Sequence, residues 1–223
     1  SHSEWEYPFG TFQASLIRDS WGLGLVGVRL TGIGEAGLLM YSSTTPIEER
    51  RVTTLATAPS RDLDAATWDA AHARLIDTLR DLIRIRSINP PAADAPDGEL
   101  IVARHIAAVL ETAGLVPELV EPVSGRGSVH VRLRGDGSGG EPLLLLSHLD
   151  VVPAPPERWT HDPFAADLTD GYVYGRGAVD MKGMVAMELG VVRLLADQAR
   201  AAGLDPARDP IPGLRSDVLF TST

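Results

Sequence analysis

An α/β layered domain is predicted by three features of the sequence. Amphipathic helical stretches alternate with short strand-like ones over residues 61–223. The run Leu143-Leu144-Leu145-Leu146 is apolar throughout, as expected of a central strand covered on both faces. Turn-forming glycines separate the elements. Residues 1–60 differ in character: they are rich in Gly, Ser and Thr, carry no sustained period, and read as an irregular leader, disordered or foreign to the domain.

The elements follow in order. Residues 64–86 form the first predicted helix, with Trp68, Ala71, Leu75, Leu79, Leu82 and Ile83 drawing one apolar stripe. Asp64 or Thr67 caps it, and Asn89-Pro90-Pro91 stops it, because the residue before a proline disfavours helix. A second helix is expected over 98–113, ended by Gly114. Strands are expected at 116–120 and 128–133, the latter with Val129, Val131 and Leu133 on one face and His130 exposed on the other. After the glycine-rich turn 135–140 comes the apolar run 143–146, then a short strand at 172–174. Residues 182–196 are apolar nearly all round, which predicts a buried helix. Residues 217–221 read as the start of a further buried strand, and a domain that ends on a fresh strand reads as truncated.

Composition narrows the chemistry. The chain has 223 residues, 20 basic and 30 acidic side chains, and a net charge of −10. A general nucleic-acid binder needs the opposite surplus, so no nucleic-acid partner is expected. No run of uncharged apolar residues is long enough for a membrane-spanning helix, so no membrane partner is expected and the expected location is the cytoplasm. There are no cysteines, which excludes disulfides and thiolate metal sites. Any metal must be held by His, Asp and Glu.

The sharpest feature is Ser147-His148-Leu149-Asp150, directly after the apolar run. Alternation along a strand puts His148 and Asp150 on one side and Leu149 on the other. A carboxylate beside an imidazole fixes its tautomer, as a metal-ligating histidine requires. A surface histidine with a neighbouring aspartate has the same spelling. The second feature runs from Asp170-Gly171 through Gly175-Arg176-Gly177 to Asp180-Met181-Lys182-Gly183, a strand, a glycine loop and a helix start. Asp180 sits where its carboxylate caps the helix or, alternatively, bridges metals. His72 and His105 fall within helices, and His161 reads as a solvated loop residue near the site.

Taken together, His148-Leu149-Asp150-Val151-Val152-Pro153, Trp159, Asp162-Pro163-Phe164, Asp170-Gly171, Gly175-Arg176-Gly177 and Asp180-Met181-Lys182-Gly183 resemble the co-catalytic zinc peptidases and amidohydrolases. These include acetylornithine deacetylase, succinyl-diaminopimelate desuccinylase, aminoacylase and glutamate carboxypeptidase. Arg86-Ser87-Ile88-Asn89-Pro90-Pro91 resembles their N-terminal pattern. The resemblance implies a zinc-exopeptidase-like α/β domain with helices around a mixed, mostly parallel sheet. It implies His148 and Asp180 as metal ligands, Asp180 bridging two zinc ions across a cis peptide to Met181, and Asp150 as the catalytic carboxylate orienting His148. Cobalt or manganese are alternatives to zinc. The implied substrate is an N-acyl amino acid or short peptide with a free carboxylate, and the complete form carries a lid or dimerisation domain suited to a homodimer.

The same pattern asks for a Glu-Glu pair after a strand like 217–221, a further acidic ligand and a late histidine. The chain's one Glu-Glu, Glu48-Glu49, lies on the wrong side of the motif. The expectation is therefore the N-terminal portion of a larger metal-dependent deacylase or carboxypeptidase, inactive alone. A non-catalytic metal-binding remnant is the first rival. The second is a nucleotide-binding module using Gly22-x-Gly24-x-x-Gly27 or Gly32-x-Gly34-x-x-Gly37, a fingerprint that must follow a strand and open a helix.

Overall fold

The computed structural model of the chain describes residues 64–90 and 98–223, together with the backbone of two strands at 13–18 and 24–29. Strands β1 (Gln13–Arg18) and β2 (Gly24–Arg29) pair antiparallel, inside the segment where the sequence carries no period. Gly24 and Gly27 thus lie within a strand and do not open a helix, which removes the structural context a dinucleotide fingerprint needs. The second glycine triplet lies outside the described residues.

Helix α1 (Ala65–Arg84) is capped by Asp64, whose carboxylate accepts from the Thr67 amide at 2.7 Å. Its core stripe is Ala71, Leu79, Leu82 and Ile83, with Leu75 packed against it. Trp68 does not join the stripe: it is 43% exposed, as are most residues of the first turns. Helix α2 (Gly98–Thr112) stops as expected at Gly114, which takes φ +81° while the Leu115 amide reaches back to Leu110 O.

The remaining elements are β3 (Glu118–Val123), β4 (Arg126–Leu133), β5 (Leu143–Ser147), β6 (Asp167–Thr169), β7 (Tyr172–Tyr174), α3 (Lys182–Ala201) and β8 (Val218–Ser222). β6 and β7 form a small hairpin. The main sheet has the order β3-β4-β8-β5. It is mixed: β3–β4 and β4–β8 are antiparallel, and β8–β5 is parallel. The last strand in sequence therefore sits inside the sheet, as its apolar spelling predicts.

Two sequence expectations change. Among the described residues the apolar run is not a doubly covered central strand: β5 is an edge of the sheet, with Leu143, Leu144 and Leu146 exposed and only Leu145 and Ser147 buried. Apolar content alone cannot separate a covered strand from one whose second face lies open. Helix α3 is likewise one-sided, burying Val185, Ala186, Leu189, Val192, Ala196 and Ala199 while Met184, Met187 and Val191 face outward.

Paired residues across a sheet share a face. Val131, Phe220 and Leu145 are such a row and all three are buried. They meet Leu82 and Ile83 of α1, Ile106 and Leu110 of α2, and Leu189 and Val192 of α3 in one core. Among the described residues the helices thus cover a single face of the sheet. His130, on the other face, is half-buried with Nδ1 3.2 Å from Thr221 Oγ1, and so is not the free surface histidine expected.

Lys182 ties α3 to α1. Its side chain is fully buried, and Nζ donates to Leu82 O at 2.8 Å and Ile85 O at 2.6 Å, two carbonyls at the C-terminal end of α1. Burial pushes its pKa down from 10.5 to about 7.

Two outcomes follow for unfolding by denaturant. A Cβ at Gly127 would stand 2.6 Å from Leu100 Cδ1 and 2.8 Å from Leu100 Cα, so Gly127→Ala must push α2 off β4. A loss of about 1–3 kcal/mol is expected. Lys182→Met leaves two carbonyls unpaired and should cost about 2 kcal/mol near neutral pH. Between about pH 7 and 10.5 the unfolded chain binds the Lys182 proton more than the folded one does. Wild-type stability should therefore rise relative to Lys182→Met across that window, a trend that unfolding midpoints against pH would show.

Candidate metal centre

The site lies where β5 ends beside β8. Main-chain bonds continue past both strand ends: Thr223 N to Ser147 O at 3.0 Å and Leu149 N to Thr223 O at 2.6 Å. On the far side, the segment after α1 adds a short parallel rung, with Val151 N to Ser87 O at 2.8 Å and Asn89 N to Val151 O at 2.9 Å. Residues 148–151 are therefore held on both edges. Leu149 is fully buried, and His148 and Asp150 project together on the opposite side, as alternation predicts.

The glycine loop brings up the third residue. Gly177 has φ +82°, and a Cβ there would stand 2.7 Å from Val151 Cγ1, so only glycine allows the loop to lie this close to the 148–151 segment. The Asp180–Met181 peptide is cis, as the resemblance implies. Asp180 does not cap α3: the cap position is Met181, and no side chain bonds the helix start. The carboxylate instead reaches His148, with Asp180 Oδ1 2.9 Å from Nε2. Met181 helps hold this approach, its Sδ accepting from the His148 amide at 3.2 Å.

The other ring nitrogen of His148 is also engaged. Nδ1 lies 2.9 Å from Asp150 Oδ1 and 3.1 Å from the Asp150 carbonyl oxygen. Acceptors face both ring nitrogens, so the protonated ring donates to Asp150 from Nδ1 and to Asp180 from Nε2; in the neutral ring the two acceptors at Nδ1 favour the proton there. Burial pushes the His148 pKa down, but the Asp180 hydrogen bond and the charges of Asp150 and Asp180 outweigh it, and the net shift is upward.

The three residues singled out from the motif thus meet in space. Among the described residues no group of three or more His, Asp or Glu side chains is arranged to hold a metal ion. The convergent donors are His148 Nε2 and the Asp180 carboxylate, which is 87% exposed.

The contacts of the supporting residues were not legible in the motif. Glu188 of α3 is buried, and its Oε2 accepts from Ser147 Oγ at 2.8 Å. Burial pushes its carboxyl pKa up against the opposing Ser147 bond. A single acid among apolar positions of α3 was its only signal. Asn89, read in sequence as a helix stop, donates from Nδ2 to Asp150 Oδ2 at 3.0 Å. His161 is not simply solvated: it stacks on Tyr174 with centroids 4.1 Å apart, and Nδ1 lies 3.1 Å from Asp167 Oδ2. Arg176 lies over the Trp159 ring at 5.0 Å, which fixes the loop flanking the site. His72 and His105 lie in α1 and α2, away from the motif.

Part of the chain is similar to known proteins. Residues 144–203 match the model of Peptidase family M20/M25/M40. A succinyl-diaminopimelate desuccinylase from Xylella fastidiosa is 43% identical over 115 residues, which is 50% of this chain and 27% of that protein. One from Acidiphilium cryptum is 41% identical over 124 residues, 56% of this chain and 30% of its own. The chain thus spans less than a third of the length of these relatives. In structure, a dipeptidase from Saccharomyces cerevisiae superposes with a TM-score of 0.53 at 20% identity, covering 70% of this chain and 33% of that one. An M20 family metallo-carboxypeptidase from Sulfolobus solfataricus gives 0.50 at 23% identity, covering 66% and 30%. The fold is that of part of these peptidase domains, and the segment that carries His148, Asp150 and Asp180 is the one that resembles Peptidase family M20/M25/M40.

Proposed function

We propose that this chain supplies two of the metal-holding residues of an amide-bond hydrolase acting on N-acyl amino acids or short peptides with a free carboxylate. The observation that carries this reading is the convergence of His148 Nε2 and Asp180 Oδ1 at 2.9 Å, with Asp150 on the far ring nitrogen. An imidazole nitrogen and a carboxylate oxygen, backed by a second carboxylate, are donors suited to zinc. The helix-capping role that would otherwise explain Asp180 is not taken up.

His148 and Asp180 would hold the ion. A divalent ion bound there supplies Lewis acidity toward an amide carbonyl and makes a nearby water more acidic. Asp150 keeps the proton on Nδ1, which reserves the Nε2 lone pair for the ion. The exposed carboxylate of Asp180 leaves room for a second ion, the bridging role the resemblance implies. The desuccinylase relatives favour an N-succinyl amino acid within the substrate class.

Hydrolysis also needs a general base near the attacking water. Neither His148 nor Asp180 can serve while ligating, and Asp150 is committed to Nδ1. We therefore read the site formed by the described residues as binding metal weakly and not turning over alone.

Zinc titration of the isotope-labelled chain tests this. His148 ring resonances should move with added zinc, and His148→Ala or Asp180→Asn should weaken binding about tenfold or more. An N-succinyl amino acid should remain intact at saturating zinc. Zinc binding indifferent to both substitutions would remove the metal reading. Turnover lost in His148→Ala would show instead that these residues complete a working site.

A further inference from the structure

Behind His148 runs a line of polar contacts that joins residues of two separate motifs, Asp150 and Asn89, to Arg126 and Glu99, which lie in neither. Asp150 Oδ2 accepts from Asn89 Nδ2 at 3.0 Å, and Asn89 Oδ1 accepts from an Arg126 guanidinium nitrogen at 2.9 Å. The other terminal nitrogen of Arg126 is bonded to Glu99, a buried carboxylate at the start of α2. Four segments of the chain meet here: the stretch after α1, the first turn of α2, the start of β4, and the 148–151 strand extension.

The direction of each bond is dictated by chemistry. Guanidinium nitrogens only donate, so the atom of Asn89 facing Arg126 must be its carbonyl oxygen. The amide nitrogen is then compelled to face Asp150, and it can only donate. That presents an acceptor oxygen of Asp150 to Asn89 and leaves the other carboxylate oxygen for His148 Nδ1–H at 2.9 Å. Glu99 in turn holds the guanidinium, so the amide of Asn89 has no reason to turn over.

We propose that Asn89 and Arg126 are positioning residues that set the polarity of this line and so hold the Asp150 carboxylate against His148. Their side-chain hydrogen bonds reach the imidazole through Asp150 and not directly. This rests on His148 being a metal ligand, yet the contact it concerns is present without metal.

The test uses the full chain and two readouts. The first is the His148 Nδ1–H proton resonance in the metal-free protein at about pH 8, where free carboxyls are ionised. The second is affinity for zinc alone. Asn89→Asp is nearly isosteric and still pairs with Arg126, but it turns an oxygen toward Asp150 in place of the donor. It should shift the Nδ1–H resonance upfield or lose it to exchange, and weaken zinc about 10–100-fold. It should still unfold cooperatively, at a midpoint lowered by the two facing carboxylates. Arg126→Met, which frees the Asn89 amide to turn, should move both readouts in the same direction by less. An unchanged Nδ1–H resonance in folded Asn89→Asp and Arg126→Met would overturn the proposal. If wild type binds no zinc while the resonance responds as expected, the metal reading fails and the positioning line stands.

Discussion

The parallel pairing of β8 with β5 is the constraint on which the rest of the site depends. It places the C-terminal ends of two strands side by side, and ligand sites in open α/β sheets gather at such ends. The same ladder continues past Ser147 and Ser222, so His148 leaves the sheet from a backbone that is hydrogen-bonded and not free to swing. On its other edge the chain after α1 adds the Ile88–Val151 rung. A histidine on a free loop would have to lose conformational entropy on binding an ion, and here most of that ordering is already in place.

Polar groups around the site are matched in a way that links distant helices to it. Lys182 begins α3 two residues after Asp180, and it is anchored to the carbonyls that end α1. Ser147 precedes His148, and its hydroxyl lies between Glu188 of α3 and Ser222 of β8. The two residues that flank the convergent donors in sequence are thus each pinned beneath them by a buried hydrogen bond. Buried polar groups are costly unless satisfied, so these contacts specify one arrangement of helices on sheet. The glycines serve the same end at single points. A Cβ at Gly175 would stand 2.5 Å from Ile83 Cγ2, so this residue lets the loop press on α1 just before it turns toward Asp180.

Much of this was legible in the chain. Helices α1, α2 and α3 follow from apolar spacing, and Asp64 and Gly114 mark their ends by elementary capping chemistry. The pairing of His148 with Asp150 follows from strand alternation, which is a local rule. The meeting of His148 with Asp180 came from motif order, because 32 residues separate them and no local period connects them. Arg126 and Glu188 escaped the reading, and Asn89 and Lys182, quoted within motifs, were given no contact of their own there, for a related reason. Each has an ordinary local explanation: a helix stop, a strand charge, a helix-start lysine, an acid on a helix face.

The sequence by itself determined where α1 begins and where α2 ends, which strand carries the histidine, and which residue types were available for metal chemistry, because these depend on neighbours within a turn or two of backbone. Only the tertiary structure decided that β5 is an edge, that Trp68 stays exposed, and that Asp180 turns to His148 and leaves the start of α3 uncapped. Those outcomes depend on which faces are covered and which polar groups meet across long sequence separations, and an apolar run or a lone carboxylate is spelled the same way in either case.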